Sequence, residues 1–377
     1  MRKFLPLILI VLIACSSGKK SLQKGNYEEA MMKAISRLRS NPNNKKARET
    51  LREGFPLTVK YHLSLVNDLK NSNQVFKYEQ MMNSYQQLNV IYEEIQRCPA
   101  CREEIRNNQS YYVEVDGLRE PAASDRYQAG NAAMNRDNSR QSAKEAYFHF
   151  LKASQIMPGY SDVNQKVGES KFAATLKVLF EQVPVHSRAY SLSNEFFQNQ
   201  INQFVGSERM NEFVRFYTPD EAKATNLNQP DQIVRMQFDD FVVGQVFLKE
   251  STETFQRDSV VVGTVKEGNL TKNVYGTVKA RLTVFQKQIT SGGLMDLQVY
   301  DPYLRRVVHQ EKLPGEFIWR SQWGNFQGDE RALTKEQLNI CGLREVPPPP
   351  PQQLFIEFCR PIYTQTTNSL RRFYRNY

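Results

Sequence analysis

The feature that most restricts how this chain folds is a change in the spacing of its apolar residues after Gly159. Before that point they recur at steps of three and four, as at Met81, Tyr85, Leu88 and Tyr92 in YEQMMNSYQQLNVIYEEI, which is the period of an amphipathic helix. Beyond it they alternate. In VRMQFD the side chains of Val234, Met236 and Phe238 point one way and those of Arg235, Gln237 and Asp239 the other, so a one-residue slip would bury charge. With 377 residues there is material for two domains. The predicted fold class is α+β: N-terminal helical repeats, then an α/β domain with a mostly antiparallel sheet, then a C-terminal helix.

The second half opens as strand, helix, strand in TLKVLFEQV, SLSNEFFQNQINQFV and NEFVRFY. Five alternating runs follow, IVRMQFDDFVV, SVVVGTV, KARLTVFQKQI, MDLQVYD and EFIWRSQW, and each reads as a strand with one solvated face. Turn residues place breaks at SGGL (291–294) and DPYLRR (301–306). Five prolines, Pro347 to Pro351, then introduce a stiff spacer and a final amphipathic helix.

At the N-terminus, Arg2 and Lys3 precede an apolar run from Phe4 to Ala14 that is too short to cross a bilayer but suits an export signal. Leu12-Ile13-Ala14-Cys15 resembles the lipobox of bacterial lipoproteins, and the resemblance implies acylation of Cys15 with cleavage just before it. Removal of residues 1–14 leaves 363 residues (377 − 14) and lowers the formal charge from +10 to +8, since Arg2 and Lys3 go with them. No second apolar run of bilayer length follows. Lys19 and Lys20 sit just after the anchor, where each charge contributes on the order of 1 kcal/mol near an anionic surface. Surface lipoproteins of the bacteroidete type carry an acidic cluster after the cysteine. Its absence from Ser16 to Lys20 implies an outer-membrane position facing the periplasm.

The helical half contains GNYEEAMMKAISRLRSNPNN, with Ala30 twelve residues before Pro42, and AYFHFLKASQIMPGY, with Ala146, Phe150, Ala153 and Pro158. Both resemble the second helix of a tetratricopeptide repeat, in which small alanines allow close approach, an aromatic fills the gap and a proline ends the helix. The expected division is a signal peptide over 1–14, a lipidated tether over 15–22, tetratricopeptide-like helices over 23–170, the sheet domain over 171–345 and the Pro-rich spacer with the last helix over 346–377. Cys98 and Cys101 have the Cys-x-x-Cys spacing, but long helices flank them and not the strand-to-helix turn of redox domains, so a disulfide at a helix corner is expected. Cys341 and Cys359 are candidates for a second bridge across the Pro-rich segment, although sequence does not fix connectivity.

The order of elements from about residue 174 to 340 looks like the lipoprotein domain of curli-type secretion subunits and of the amino-terminal domain of the Tol translocation protein. A channel subunit of that kind must present long membrane-inserting hairpins and close a ring. Two groups are candidate partner-binding residues: Trp319, Trp323 and Phe326 beside the Asp329–Arg331 turn, and Phe355, Phe358, Arg371, Arg372 and Arg375 on the last helix. Each also has a plain structural account, as a Gly-Asp turn entering a helix and as a terminal helix packed on the sheet.

Chemistry is hard to find. His62, His149, His186 and His309 lack metal-ligand neighbours, Asp239 and Asp240 are adjacent strand residues that face opposite sides, and neither a phosphate loop nor a nucleophile elbow occurs. No enzyme, cofactor or metal is therefore expected. Basic charge without an aromatic-interleaved stripe argues against nucleic acid, and the expected partners are outer-membrane or periplasmic proteins, with no small-molecule ligand. The leading expectation is a lipid-anchored periplasmic adaptor of an outer-membrane assembly or secretion complex. A surface glycan- or nutrient-binding lipoprotein and a curli-like channel subunit are the alternatives.

Overall fold

A computed structural model describes residues 18–184, 191–207, 211–267, 270–375 and 377. The lipobox and Cys15 lie outside the described residues, as does His186. Two compact units are formed, one ending at Ala174 and the other beginning at Thr175.

The first unit consists of α1 (Lys19–Gln23), α2 (Tyr27–Ser40), α3 (Lys45–Lys70), α4 (Lys77–Gln96), α5 (Pro99–Glu104), α6 (Tyr112–Met134), α7 (Arg140–Ile156) and α8 (Val163–Ala174). The small residues of the two repeat-like segments lie at helix contacts. Ala30, Ala34 and Leu38 of α2 are buried with Ala47 and Leu51 of α3, and Ala146, Phe150 and Ala153 of α7 are fully buried. Phe150 lies so near α6 that a Cβ on Gly130 would meet its ring at 2.7 Å. Helix α7 ends at Ile156, two residues before Pro158, as a residue without an amide hydrogen requires.

Cys98 and Cys101 form a disulfide. Both are fully buried at the corner between α4 and α5, and α5 is tied to α3 by Arg48–Glu104 at 2.7 Å and Arg52–Glu104 at 2.8 Å. The two guanidinium groups outweigh burial and hold the Glu104 carboxyl below its ordinary range, Arg48 contributing most. Replacing both cysteines by alanine is expected to cost about 2 kcal/mol, the loop-closure value for so short a ring. A lower urea midpoint for the helical unit would register it.

The second unit consists of β1 (Leu176–Phe180), α9 (Ser191–Ser207), β2 (Val214–Tyr217), α10 (Pro219–Ala224), β3 (Gln232–Glu267), β4 (Leu270–Asp301), β5 (Arg306–Gly328), a 3-10 turn (Glu330–Ala332), α11 (Lys335–Gly342) and α12 (Pro351–Tyr374). The sheet order is β2-β1-β3-β4-β5, with β1 parallel to β2 and β3 and the remaining pairs antiparallel. Helices α9 and α12 share one face. There, Phe197, Ile201 and Phe204 from α9 and Phe355, Phe358 and Ile362 from α12 enter one core with Val178, Val234, Met236, Phe238, Leu297 and Leu313.

Two strand expectations need correction. IVRMQFDDFVV and SVVVGTV belong to the single strand β3, and KARLTVFQKQI and MDLQVYD to the single strand β4. SGGL is therefore no turn; it lies in the middle of β4, paired on both sides. The physical reason is close approach: a Cβ on Gly293 would lie 3.0 Å from the Phe358 ring, and one on Gly315, its partner across the ladder, 2.3 Å from the Phe358 carbonyl oxygen. Glycine here makes room for α12, a use that looks the same as a turn when read locally. DPYLRR does form the turn between β4 and β5, with Arg305 in the left-handed region at φ 51°.

Candidate functional site

The least ordinary part of the molecule is the ribbon formed by β3, β4 and β5. At 36 and 32 residues, β3 and β4 run on the order of 100 Å each, several times an average strand. The difference in length is accounted for by four register shifts, each adding a residue to β3, at 238/240, 242/245, 257/260 and 261/263. Gly244 (φ 77°) and Ser259 (φ 58°) supply left-handed backbone at two of them. Bulges increase the local twist and bend, so β3 curves relative to a flat strand.

Strand β1 pairs β3 only from Gln232 to Val234, and β5 leaves β4 at the Ala280–Gly328 pair. The ten residues Leu270–Lys279 therefore have β3 as their one strand partner, and only at Lys279, whose carbonyl accepts the Asp329 amide at 3.0 Å, does the chain after β5 still reach them. Among the described residues no strand covers the β3 edge beyond Val234 or the outer edge of β5.

The distal hairpin has unequal faces. On the side that carries α11 nearer the base stand Val260, Val262, Val265, Leu270 and Val274, interrupted by Arg257 and, next to the tip, by the ion-paired Glu267 and Lys272. Val262, Val265, Leu270 and Val274 are exposed, and Val262 lies over Gly276. Closer to the base the same face is covered, with Ala280 and Leu282 buried against Leu333, Leu338 and Cys341. On the opposite side stand Thr264 with Asn273, Thr277 and Asp258 hydrogen-bonded at 2.7 Å, Gln256 with Lys279, and Thr254 with Arg281. Tyr275 and Val261 are the apolar exceptions. The turn after β5 fastens this arrangement: Arg331 grips the Asp329 carboxylate and donates to the Val261 carbonyl at 2.6 Å. The Arg331 guanidinium holds the Asp329 carboxyl down at about 2.

Residues singled out from sequence do not converge on one site. Trp319 lies across from Ile289 and Trp323 from Phe285, whose ring it stacks on at 5.5 Å, both on the α12 side of the sheet. Phe326 has the opposite parity and packs toward Leu333 and α11. Phe355 and Phe358 are fully buried in the sheet core and leave no surface for a partner, which corrects their assignment. Arg371, Arg372 and Arg375 are exposed on the final turns of α12; Arg371 lies over the Phe204 ring at 5.5 Å and Arg372 approaches Glu311 at 3.4 Å.

The bridge between Cys341 and Cys359 is absent, and both are free thiols. They belong to different clusters on different faces, Cys341 under α11 and Cys359 in the core below α12, where burial pushes its thiol up. Asp239 sits in the first β3 bulge and pairs with Lys312, which also reaches Asp296 at 3.3 Å, so it acts as part of a surface charge network. Among the described residues no three His, Cys, Asp or Glu side chains gather as metal ligands, and no helix is long and apolar enough to cross a membrane.

The ribbon's continuity is not legible in the sequence, because bulges and strand glycines carry the same local signals as turns. The unbroken register of β4 against β5 is a tertiary fact. No protein-family model matches the chain, and neither does any curated protein. Among solved structures it is similar to a neuraminyllactose-binding hemagglutinin homolog from Helicobacter pylori at 10% identity, over 53% of this chain and 91% of that one, with a TM-score of 0.22, a likeness too slight to carry an argument.

Proposed function

We propose that the chain is a non-enzymatic, lipid-anchored subunit of an outer-membrane protein-secretion complex, and that it helps to form the channel itself in the curli-like manner. One observation carries the reading: a hairpin with one polar face and one valine-rich face, the latter charged at Arg257 and at the Glu267–Lys272 pair beside the tip, extends past the rest of the sheet with no strand on its edges among the described residues. A strand of 9–11 residues tilted by roughly 45° crosses a hydrocarbon core, and the Leu270–Lys279 stretch has that length. In lipid each unsatisfied backbone group costs several kcal/mol, so a hairpin can enter only if neighbouring copies pair its edges and the sheet closes. Thr264, Asn273, Thr277 and Lys279 would then face water inside, with the valines facing lipid. Acylation of Cys15 would hold the body at the membrane while the ring assembles.

The adaptor reading keeps one observation of its own, the exposed Leu57, Tyr61, Leu63 and Leu65 on α3, which offer a partner protein apolar surface. Native mass measurement of the acylated mature chain in detergent, followed by conductance in planar bilayers, separates the two. A ring of single stoichiometry that conducts supports the channel. A monomer that recovers with outer-membrane barrel proteins and conducts nothing transfers the function to the adaptor.

A further inference from the structure

The segment between α11 and α12, Leu343–Pro350, forms neither helix nor strand. Its ends have the dihedrals of polyproline II: Leu343 at φ −80°, ψ 153° and Pro350 at φ −62°, ψ 154°. Four consecutive prolines, Pro347 to Pro350, have no amide hydrogen and cannot join the sheet ladder. The segment is held at both ends. Glu345 pairs with Lys287 at 2.7 Å and the Val346 amide donates to the Ser321 hydroxyl at 3.5 Å, while the Pro350 carbonyl accepts the first amides of α12.

Polyproline II repeats every three residues, so a segment that keeps the conformation of its two ends places Arg344, Pro347 and Pro350 on one ridge about 19 Å long. All three are exposed, whereas Pro349, on another ridge, is half-buried. Arg344 has no ion-pair partner among the described residues. The spacing Arg-x-x-Pro-x-x-Pro thus presents two prolines one turn apart with a free cation one turn before them.

We infer that this strap is a docking ligand for a protein domain whose aromatic-lined groove reads polyproline II and whose rim carries carboxylates to receive Arg344, the chemistry of SH3-type recognition. Anchoring at both ends removes most of the ordering entropy that a free peptide loses on binding, so the folded chain presents the ligand already in its bound shape. The inference is independent of the ribbon and of channel formation.

The test uses the full mature chain in detergent and, as probe, a recombinant SH3 domain that reads Arg-x-x-Pro-x-x-Pro peptides, followed by fluorescence anisotropy. Saturable binding is expected, weakened about tenfold, or about 1.4 kcal/mol, by Arg344→Glu and at least as much by Pro347→Ala with Pro350→Ala. Pro348→Ala, off the ridge, should leave affinity within about twofold, and all variants should keep the wild-type melting transition. Absence of saturable binding to the folded chain overturns the proposal, and so does binding indifferent to Arg344→Glu. A free 343–352 peptide that binds when the intact chain does not also overturns it, because the strap would then be occluded.

Discussion

Phe358→Ala is expected to destabilise the sheet unit by about 3–5 kcal/mol, the range for deleting a buried aromatic side chain. The side chain has no exposed surface, and its ring lies 5.0 Å from Phe355, 6.2 Å from Phe238 and 6.4 Å from Phe241. Collapse cannot fill the space easily, because α12 rests on the glycine pair Gly293 and Gly315, whose backbones already meet Phe358 and Ile362. Since whole domains are stable by only about 5–15 kcal/mol, a loss of this size leaves the unit near its unfolding threshold. Urea unfolding followed by far-ultraviolet circular dichroism reads it as a large fall in midpoint. Arg375→Ala, which changes an exposed residue on the last turn of the same helix, should stay within about 0.5 kcal/mol. Equal effects of the two variants would remove α12 from the core.

Charging the apolar face of the distal hairpin is expected to abolish channel formation without unfolding the body. Val262 and Val274 are exposed on that face, so Val262→Lys with Val274→Lys creates no buried charge in the isolated chain. Placed against lipid, each lysine costs about 2–4 kcal/mol at the bilayer midplane. Repeated in every copy of a ring, that penalty opposes the gain from burying the valines in lipid, which is only about 1.5–3 kcal/mol for each side chain. Thr264→Lys, which lies across from Asn273 on the polar face, adds charge to the water-filled side and should leave conductance present. The readout is conductance per reconstituted protein, with the melting transition as control. Channels of normal frequency from the double variant would show that the valines never meet lipid.

Much of the architecture was legible before any coordinates. The alternation at Val234, Met236 and Phe238 appears in the structure as buried residues paired with Val299, Leu297 and Met295, because a two-residue period is a local property that burial on one face selects. Ala146, Phe150 and Ala153 were equally readable, since a three- and four-residue period brings them to one helical stripe. Cys98 and Cys101 stand three positions apart on a helix corner and needed no long-range information to meet.

What failed to be legible depends on distant partners. Phe355 and Phe358 form an apolar stripe whose fate, core or docking surface, is decided only by whether a sheet lies beneath it. Trp323 and Phe326 are three residues apart in a strand and therefore on opposite faces, which separates a cluster that looked compact in the sequence. Periodicity and small-residue spacing set which elements form and which side of each is apolar, because both act through neighbours within a turn or a pleat. Tertiary structure alone decided that Gly292 and Gly293 continue a strand, that two predicted strands join into one of 36 residues, and that its edge is left open. Those outcomes turn on backbone contacts between segments some fifty residues apart in the chain, such as Val242 with Gly292, which local pattern does not encode.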